Sequence, residues 1–234
     1  MKINIIGYGK MGKAIAAYAQ IRGHEIAGIA DDPQALLQLP AADVAIEFSQ
    51  PDAVIHNLLY CFERKLPVVC GTTGWTTQRA AMEAKCLEMH ACLFHASNFS
   101  LGVNIFFKVN AYLAQLLTRV NDYHLTINET HHTQKKDAPS GTAITLAEGI
   151  LKNNPLWKNW TTTQNPMADE FVINSFRVDP LPGTHEIRYD SEIDSIEIKH
   201  TAHSRDGFVK GAVLAAEWIN GKTGVYTMED ILKF

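Results

Sequence analysis

No stretch of this sequence stays apolar for the roughly 18–20 residues that a membrane-spanning helix needs, so no membrane-spanning segment is expected. No C-x-x-C pair occurs. The four cysteines, Cys61, Cys70, Cys86 and Cys92, are scattered through apolar or helical surroundings, as suits reduced structural thiols of a cytosolic protein. Basic residues form no concentrated patch, and acid and base are spread along a chain of net charge −4. Nucleic acid and anionic membrane surfaces both need such a patch, so neither is expected as a partner. A small anion needs only a local basic pocket, which this balance leaves open. Repeats and low-complexity tracts are lacking. There is no secretory signal either: Met1-Lys2 leads straight into a short apolar strand, and the cytoplasm is the expected compartment.

What is present is ordinary globular composition, 46% hydrophobic and 20% charged over 234 residues. That length suits one large domain or two unequal ones. In the first hundred residues, short β-rich runs at 3–6, 25–30, 44–48, 68–70 and 91–95 alternate with helical stretches at 10–21, 52–64 and 77–89, with Asp52 as a candidate N-cap. Strands alternating with helices predict βαβ units and a parallel sheet, an α/β fold. The pattern then changes. A long helix is predicted over 101–119, a half-buried strand over 123–129 and a helix over 142–152. Residues 153–169 read as a surface loop. Strands at 171–178, 184–189 and 195–200 follow without intervening helices, which predicts an antiparallel or mixed sheet. Residues 207–220 return to helix.

Two stretches carry chemistry. Gly7-Tyr8-Gly9-Lys10-Met11-Gly12 is G-x-G-x-x-G between a strand and a helix. Gly7 permits the tight turn, Gly9 lets the backbone approach a pyrophosphate, and Gly12 lets helix and strand pack closely. The helix N-terminus then holds the phosphates. Asp31 closes the second strand about 20 residues on and can accept hydrogen bonds from a ribose diol. The same carboxylate would repel a 2′-phosphate, and no Lys or Arg follows it in Asp32-Pro33-Gln34-Ala35. The cofactor expectation is therefore NADH or NADPH, leaning to NADH. The turns Phe48-Ser49-Gln50-Pro51 and Gly71-Thr72-Thr73-Gly74 end two further strands, where ligands lie in open α/β sheets.

The second stretch is the densest polar run, Glu129-Thr130-His131-His132-Thr133-Gln134-Lys135-Lys136-Asp137-Ala138-Pro139-Ser140-Gly141-Thr142. Ser140-Gly141-Thr142 at a helix start offers N–H groups and positive dipole to an anion. Lys135 adds charge, and His131 and His132 supply imidazoles, the side-chain type that can titrate near neutral pH. Together they suit a small carboxylate substrate that needs a proton during reaction. The competing readings are a solvated loop, a metal site using these histidines with His200 and His203, and Ser140 as a nucleophile. The ligand spacing fits no metal site and Ser140 has no G-x-S-x-G elbow, so neither metal nor nucleophile is expected.

This second stretch resembles the E-x-H-H-x-x-K-x-D-A-P-S-G-T signature of the dihydrodipicolinate reductases. Supporting matches are the glycine loop, Phe48-Ser49-Gln50-Pro51, Gly71-Thr72-Thr73-Gly74, Ser97-Asn98-Phe99-Ser100-Leu101-Gly102-Val103-Asn104, Arg177, Gly183-Thr184-His185, and His200 through Arg205 with Phe208 and Gly211-Ala212-Val213. The glycine loop is one residue shorter than the G-x-x-G-x-x-G of many members, and the stretch from Ala30 to Pro40 is reduced. The resemblance implies reduction of a small cyclic dicarboxylate, 4-hydroxy-tetrahydrodipicolinate or its dehydrated form, by hydride from NADH or NADPH. It makes His131 the general acid and Lys135 its catalytic companion. His132, Lys135, Ser140, Gly141 and Thr142 would hold substrate carboxylates. Gly7, Gly9, Lys10, Met11, Gly12 and Asp31 would hold the adenosine and pyrophosphate, and Phe48, Gly71, Thr73, Ser97, Asn98 and Phe99 the nicotinamide end; Arg205 is left without a role. It also implies a Rossmann-like dinucleotide-binding domain over 1–100 and 208–234, an α+β substrate and oligomerisation domain with an open mixed sheet over 101–207, and a homotetramer. An aspartate-type amino-acid dehydrogenase would explain the glycine loop but not the His-His…Lys cluster. A dinucleotide-sensing regulator would need a DNA-binding helix pair or basic patch, and neither is found.

Overall fold

The computed structural model describes residues 1–120 and 122–233; Asn121 and Phe234, each inside an expected domain range, lie outside the described residues. The chain divides into two compact units, Met1–Leu101 with the segment from Asp206 onward, and Gly102–Arg205.

The first unit is a six-stranded parallel sheet between two helical layers. Its strands are β1 (Lys2–Ile6), β2 (Glu25–Ala30), β3 (Val44–Glu47), β4 (Val68–Cys70), β5 (Cys92–His95) and β11 (Gly224–Tyr226), in the order β11-β5-β4-β3-β1-β2. Helices on both faces demand near-continuous apolar strands, and β1, β3, β4 and β5 are that. Alternate residues go to opposite layers. Ile3, Ile5, Ile46, Val69 and Phe94 pack against α1 (Lys10–Ile21) and α7 (Asp206–Ile219). Ile6, Ala45, Val68 and Leu93 pack against α3 (Val54–Glu63), α4 (Thr76–Glu88) and the short α2 (Pro33–Leu37). Because β1 lies between β2 and β3, the winding direction reverses at β1, and the reversal opens a crevice beyond the strand ends.

The second unit is a mixed five-stranded sheet with helices on one face. It contains α5 (Leu101–Leu116, shared at its first residue and extended by a 3₁₀ turn over Leu117–Arg119), β6 (His124–His131), α6 (Gly141–Asn153), β7 (Asn159–Thr161), β8 (Glu170–Arg177), β9 (Gly183–Asp190) and β10 (Ser195–Ala202). The strand order is β10-β9-β6-β8-β7. β6 pairs antiparallel with β9 and parallel with β8. Leu125, Ile127, Phe171, Ile173, Ile187 and Tyr189 face α5 and α6, which contribute Phe106, Ala114, Leu146 and Ile150. The opposite face is largely polar, with Phe176 exposed on it: Asn174 donates to Asn128 at 2.9 Å, and Arg188 and Lys199 pair with Glu197 and Glu186 at 3.0 and 3.3 Å.

Both predicted classes, a parallel α/β half and a mixed sheet, are found. Several local expectations are corrected. Asp52 does not cap α3; residues 51–53 form a turn closed on Gln50, and the helix starts after Ala53 without a side-chain cap. The short helix α2 is not among the predicted elements; Asp32 accepts from Ala35 N at 2.8 Å and caps it, with Pro33 in its first turn. The supposed loop over 153–169 contains the edge strand β7, and β11 and the final helix α8 (Met228–Ile231) follow α7. These elements span three to five residues, too few to display a period. The strand predicted over 123–129 runs on to His131, so the first catalytic candidate is the last strand residue rather than part of the loop.

Candidate active site

In the first unit, the β1–α1 turn is fixed by backbone packing. Gly7 has φ +87°, and a Cβ there would lie 2.2 Å from the Phe48 carbonyl oxygen. At Gly12 it would lie 2.0 Å from the Gly7 carbonyl oxygen. The helix and the neighbouring strand end can therefore approach only without side chains at these positions. Gly9 is different: an added Cβ meets nothing within 4 Å, and Gly9 is the N-cap of α1 with no side-chain cap. The first amides of a helix lack partners within it, and this helix start faces open space. Asp31 Oδ1 accepts from Tyr8 N at 2.7 Å, tying the end of β2 to the turn.

Beyond the ends of β1, β2 and β3 lies a cleft of about 760 Å³, lined among others by Gly7, Gly9, Asp31, Phe48 and Ser49. That is ample for a nucleotide. Its floor is organised by Glu47, fully buried at the end of β3. Glu47 accepts from the Ser49 hydroxyl, from Asn57 Nδ2 at 3.1 Å and from Cys70 Sγ at 3.3 Å. Lys10 is exposed and Met11 half-buried on the first turn of α1. A second cavity of about 90 Å³, at the ends of β4 and β5, is lined by Thr73, Trp75, Arg79, His95 and Ser97 among others. The Phe48 ring covers Gly71, where a Cβ would lie 2.1 Å from it. Phe99 is in the core, 2% exposed and 5.5 Å from Phe48 between ring centres, so its side chain supports Phe48 rather than lining a cavity. Asn98 is half-buried, and its Oδ1 accepts from Ser100 N at 2.9 Å.

In the second unit, the helix-covered face of the sheet turns polar at one end. Along β6 the inward residues are Leu125, Ile127, Glu129 and His131. Strand register places His185 on β9 and Ser175 on β8 directly beside Glu129, and Arg177 beside His131. Glu129 is fully buried. Its Oε1 accepts from Ser175 Oγ at 2.7 Å and Ser140 N at 3.0 Å. Its Oε2 accepts from Ser140 N at 3.2 Å and lies 3.6 Å from both His131 Nδ1 and His185 Nε2. Burial alone would raise the Glu129 pKa, but His185, Ser140 and Ser175 outweigh it and hold the carboxyl at about 2. At 3.6 Å the histidine contact is longer than a hydrogen bond, so the serine donors carry most of that effect. His131 is 7% exposed. Burial, then His185, pushes its pKa down from 6.5 to about 4, with Glu129 opposing.

The loop between β6 and α6 is clamped from β8. Arg177 Nε donates to the Lys135 carbonyl at 3.1 Å and Nη2 to the Asp137 carbonyl at 2.6 Å. Asp179 accepts from Thr133 N and Oγ1 at 3.0 and 2.5 Å. Lys135 Nζ contacts both Asp137 oxygens at 2.8 Å. Ser140 caps α6 through Ala143 N at 3.2 Å, and its Oγ lies 3.2 Å from His185 Nε2. Gly141 is exposed with nothing within 4 Å of an added Cβ, and Thr142 is half-buried.

The sequence of the first unit matches the family model described as dihydrodipicolinate reductase, N-terminus, over residues 1–99, and residues 102–232 match the corresponding C-terminus. The chain belongs to the dihydrodipicolinate reductase family. It is 46% identical to the 4-hydroxy-tetrahydrodipicolinate reductase of Christiangramia forsetii, over 99% of this chain and 98% of that protein. It is 36% identical to that of Methanosarcina mazei, over 96% and 86%. Among solved structures, the dipicolinate-bound dihydrodipicolinate reductase of Paenisporosarcina sp. TG-14 shares the fold, with a TM-score of 0.78 at 23% identity and 99% coverage of both chains. A probable dehydrogenase of Thermotoga maritima shares it more loosely, with a TM-score of 0.58 at 12% identity, covering 98% of this chain and 92% of that one.

The structure gathers the family's signature residues unevenly. Gly7, Gly9 and Asp31 share the first cleft with Phe48, whereas Thr73 and Ser97 line the smaller cavity. His131 and Ser140 meet through Glu129. His132 is half-buried beside them, its Nδ1 sealed from solvent without a hydrogen-bond partner. Arg205 and His203 are exposed. Of the histidines weighed for a metal only His131 falls in a converging set; among the described residues the groups able to offer ligand atoms within 4.8 Å of one another are Glu129, His131 and His185, with Glu129 already engaged by two serines. Sequence reasoning passed over Glu129 and His185 as site residues. The available signal was the alternation 125, 127, 129, 131, which marks Glu129 as core-facing and therefore in need of partners.

Two buried groups give the second unit an acid sensitivity of known sign. Both pKa values are depressed by folding, so between folded and unfolded values the unfolded chain binds more protons, and stability falls with pH. His131 acts from 6.5 down to about 4, and Glu129 from 4.5 down to about 2. Denaturant titrations should show stability falling as pH drops from neutral to about 4, with a shallower fall in His131→Gln. An identical slope in the variant contradicts the assignment.

Proposed function

We propose that this chain reduces 4-hydroxy-tetrahydrodipicolinate, through its dehydrated form, to tetrahydrodipicolinate in lysine and diaminopimelate biosynthesis, using NADH or NADPH. The observation that carries the reading is the meeting of His131 and the Ser140 helix start at one buried carboxylate, with Lys135 in the loop that joins them, in a chain matched over 99% of its length by a reductase of that name. Residues of the first cleft fit a dinucleotide: an uncapped helix start for phosphates, and Asp31, whose second oxygen remains for a ribose hydroxyl. Bound there, the reduced nicotinamide supplies hydride.

The protein supplies the proton and the grip. Gly141 and Thr142, at the dipole-positive start of α6, hold one substrate carboxylate, and His132 and Lys135 assist. His131 is held neutral in the resting protein, so it must take up a proton before giving one. A bound dianion favours that uptake by its charge; the Lys135 ammonium stands in the same loop as a source. Hydride and proton must reach one ring of the substrate together. We further assign the second unit the substrate and oligomerisation role, and place the enzyme in the cytoplasm as a homotetramer; the polar outer face of its sheet, uncovered by α5 or α6, supports pairing between copies.

Incubation with substrate generated from pyruvate and aspartate semialdehyde should consume the absorbance of reduced nicotinamide, and no consumption with either cofactor defeats the reading. His131→Ala should lower kcat far more than it raises KM, because its proton is needed only in the transition state. For Lys135→Ala both parameters should suffer. A KM effect alone at His131 would make it a binding residue.

For cofactor choice, the finer assignment is NADH. Asp31, Asp32 and Asp52 line the first cleft, and among the described residues no Lys or Arg lines it. A 2′-phosphate there meets like charge without compensation. Steady-state assays should give kcat/KM at least about tenfold higher for NADH, equivalent to ~1.4 kcal/mol; a strong NADPH preference overturns this.

A further inference from the structure

We propose that Glu129 is the positioning residue of the proton-donating side: its carboxylate fixes His131 in the tautomer that carries hydrogen on Nδ1, and through Ser140 N it ties that ring to the start of α6. The proposal rests on the reading of His131 as the proton-transferring group.

The two oxygens of Glu129 are unequally occupied. Oε1 is satisfied by Ser175 Oγ at 2.7 Å and Ser140 N at 3.0 Å. Oε2 has only the longer 3.2 Å contact to Ser140 N and faces His131 Nδ1 and His185 Nε2 at 3.6 Å. His131 Nδ1 is sealed from solvent with no hydrogen-bond partner. Buried polar atoms are rarely left so, and the carboxylate is the acceptor in front of it. A lone pair on Nδ1 would be repelled by that charge, and a proton is attracted to it. Nδ1 therefore holds the fixed hydrogen, and Nε2 becomes the nitrogen that takes up and releases the working proton. Nε2 lies along Gly183, where a Cβ would come within 3.1 Å of Nε2 and Cδ2; the missing side chain leaves that edge of the ring its space.

The remaining groups around His131 do not supply this function. Arg177 on β8 reaches Glu129 only at 4.0 Å and spends its donors on loop carbonyls. Lys135 is paired with Asp137. His185 on β9 directs Nε2 at Glu129 and at Ser140 Oγ, and is itself neighboured by His200 on β10. Among the described residues, only Glu129 presents an acceptor to His131 Nδ1.

A glutamine at 129 separates positioning from mere support. Its carbonyl can still accept from Ser175 and Ser140, while its amide donates toward Nδ1 and selects the opposite tautomer. Imidazole ¹⁵N NMR of the full-length protein, with His131 assigned by the loss of its signals in His131→Gln, reads the tautomer directly. The expected result is Nδ1–H in the unsubstituted protein and Nε2–H in Glu129→Gln, with kcat reduced about 10–100-fold and KM little changed. Glu129→Asp, which keeps the charge, should retain the Nδ1–H form. An Nε2–H ring in the unsubstituted protein overturns the proposal even if every variant fails to fold, and so does an unchanged tautomer in Glu129→Gln. A flipped tautomer with undiminished turnover upholds the hold of Glu129 on the ring and instead removes His131 from the chemistry.

Discussion

The Glu129 carboxylate sits at the end of a central strand, out of reach of water, and a charge in that position persists only where protein donors replace its hydration. Unmet, the cost is several kcal/mol for a single ion. Here the donors come from separate parts of the second unit: Ser140 at the start of α6 and Ser175 on β8, with His131 and His185 approaching from β6 and β9. Satisfying one charge thus sets where the α6 N-terminus lies and confines the His131 imidazole. The site is placed by electrostatics at the end of a sheet whose other end is held by apolar packing of Leu125, Ile127 and Ile187.

A comparable device stands in the first unit. Glu47 is also fully buried at a strand end, and it also gathers donors from separate segments, namely Ser49, Asn57 and Cys70. It shapes the turn that passes against Gly7, whose backbone contact with Phe48 admits no side chain. In both units one buried acid at or near the end of a strand organises the polar residues beyond it. The strands provide rigidity, and the acids decide how the first polar residues after them are aimed.

Much of this was legible in the sequence wherever periodicity was long enough to read. The alternating strands and helices of the first hundred residues, the glycine turn and the mixed sheet all follow from local pattern, and the family signature named the loop residues. What escaped was short or non-local. The elements α2, β7, β11 and α8 are too brief to show a period, and Asp52 looked like a cap because its identity, not its backbone, was visible. Glu129 and His185 lie far apart along the chain and become neighbours only through the pairing of β6 with β9. Phe99 belongs to a matching motif yet packs in the core. A motif therefore identifies which residues matter, and only register shows which of them touch.

The proposed reaction requires that hydride from a bound dinucleotide and a proton from His131 reach one substrate ring. A crystal structure with the oxidised dinucleotide and dipicolinate, a stable planar dicarboxylate, addresses this most directly. The account predicts a nicotinamide C4 about 3–3.5 Å from a carbon of the ligand ring, one carboxylate on the backbone of Gly141 and Thr142, and Nε2 of His131 turned to the ring. A ligand bound away from residues 140–142, or an imidazole presenting Nδ1 to it, would contradict the account.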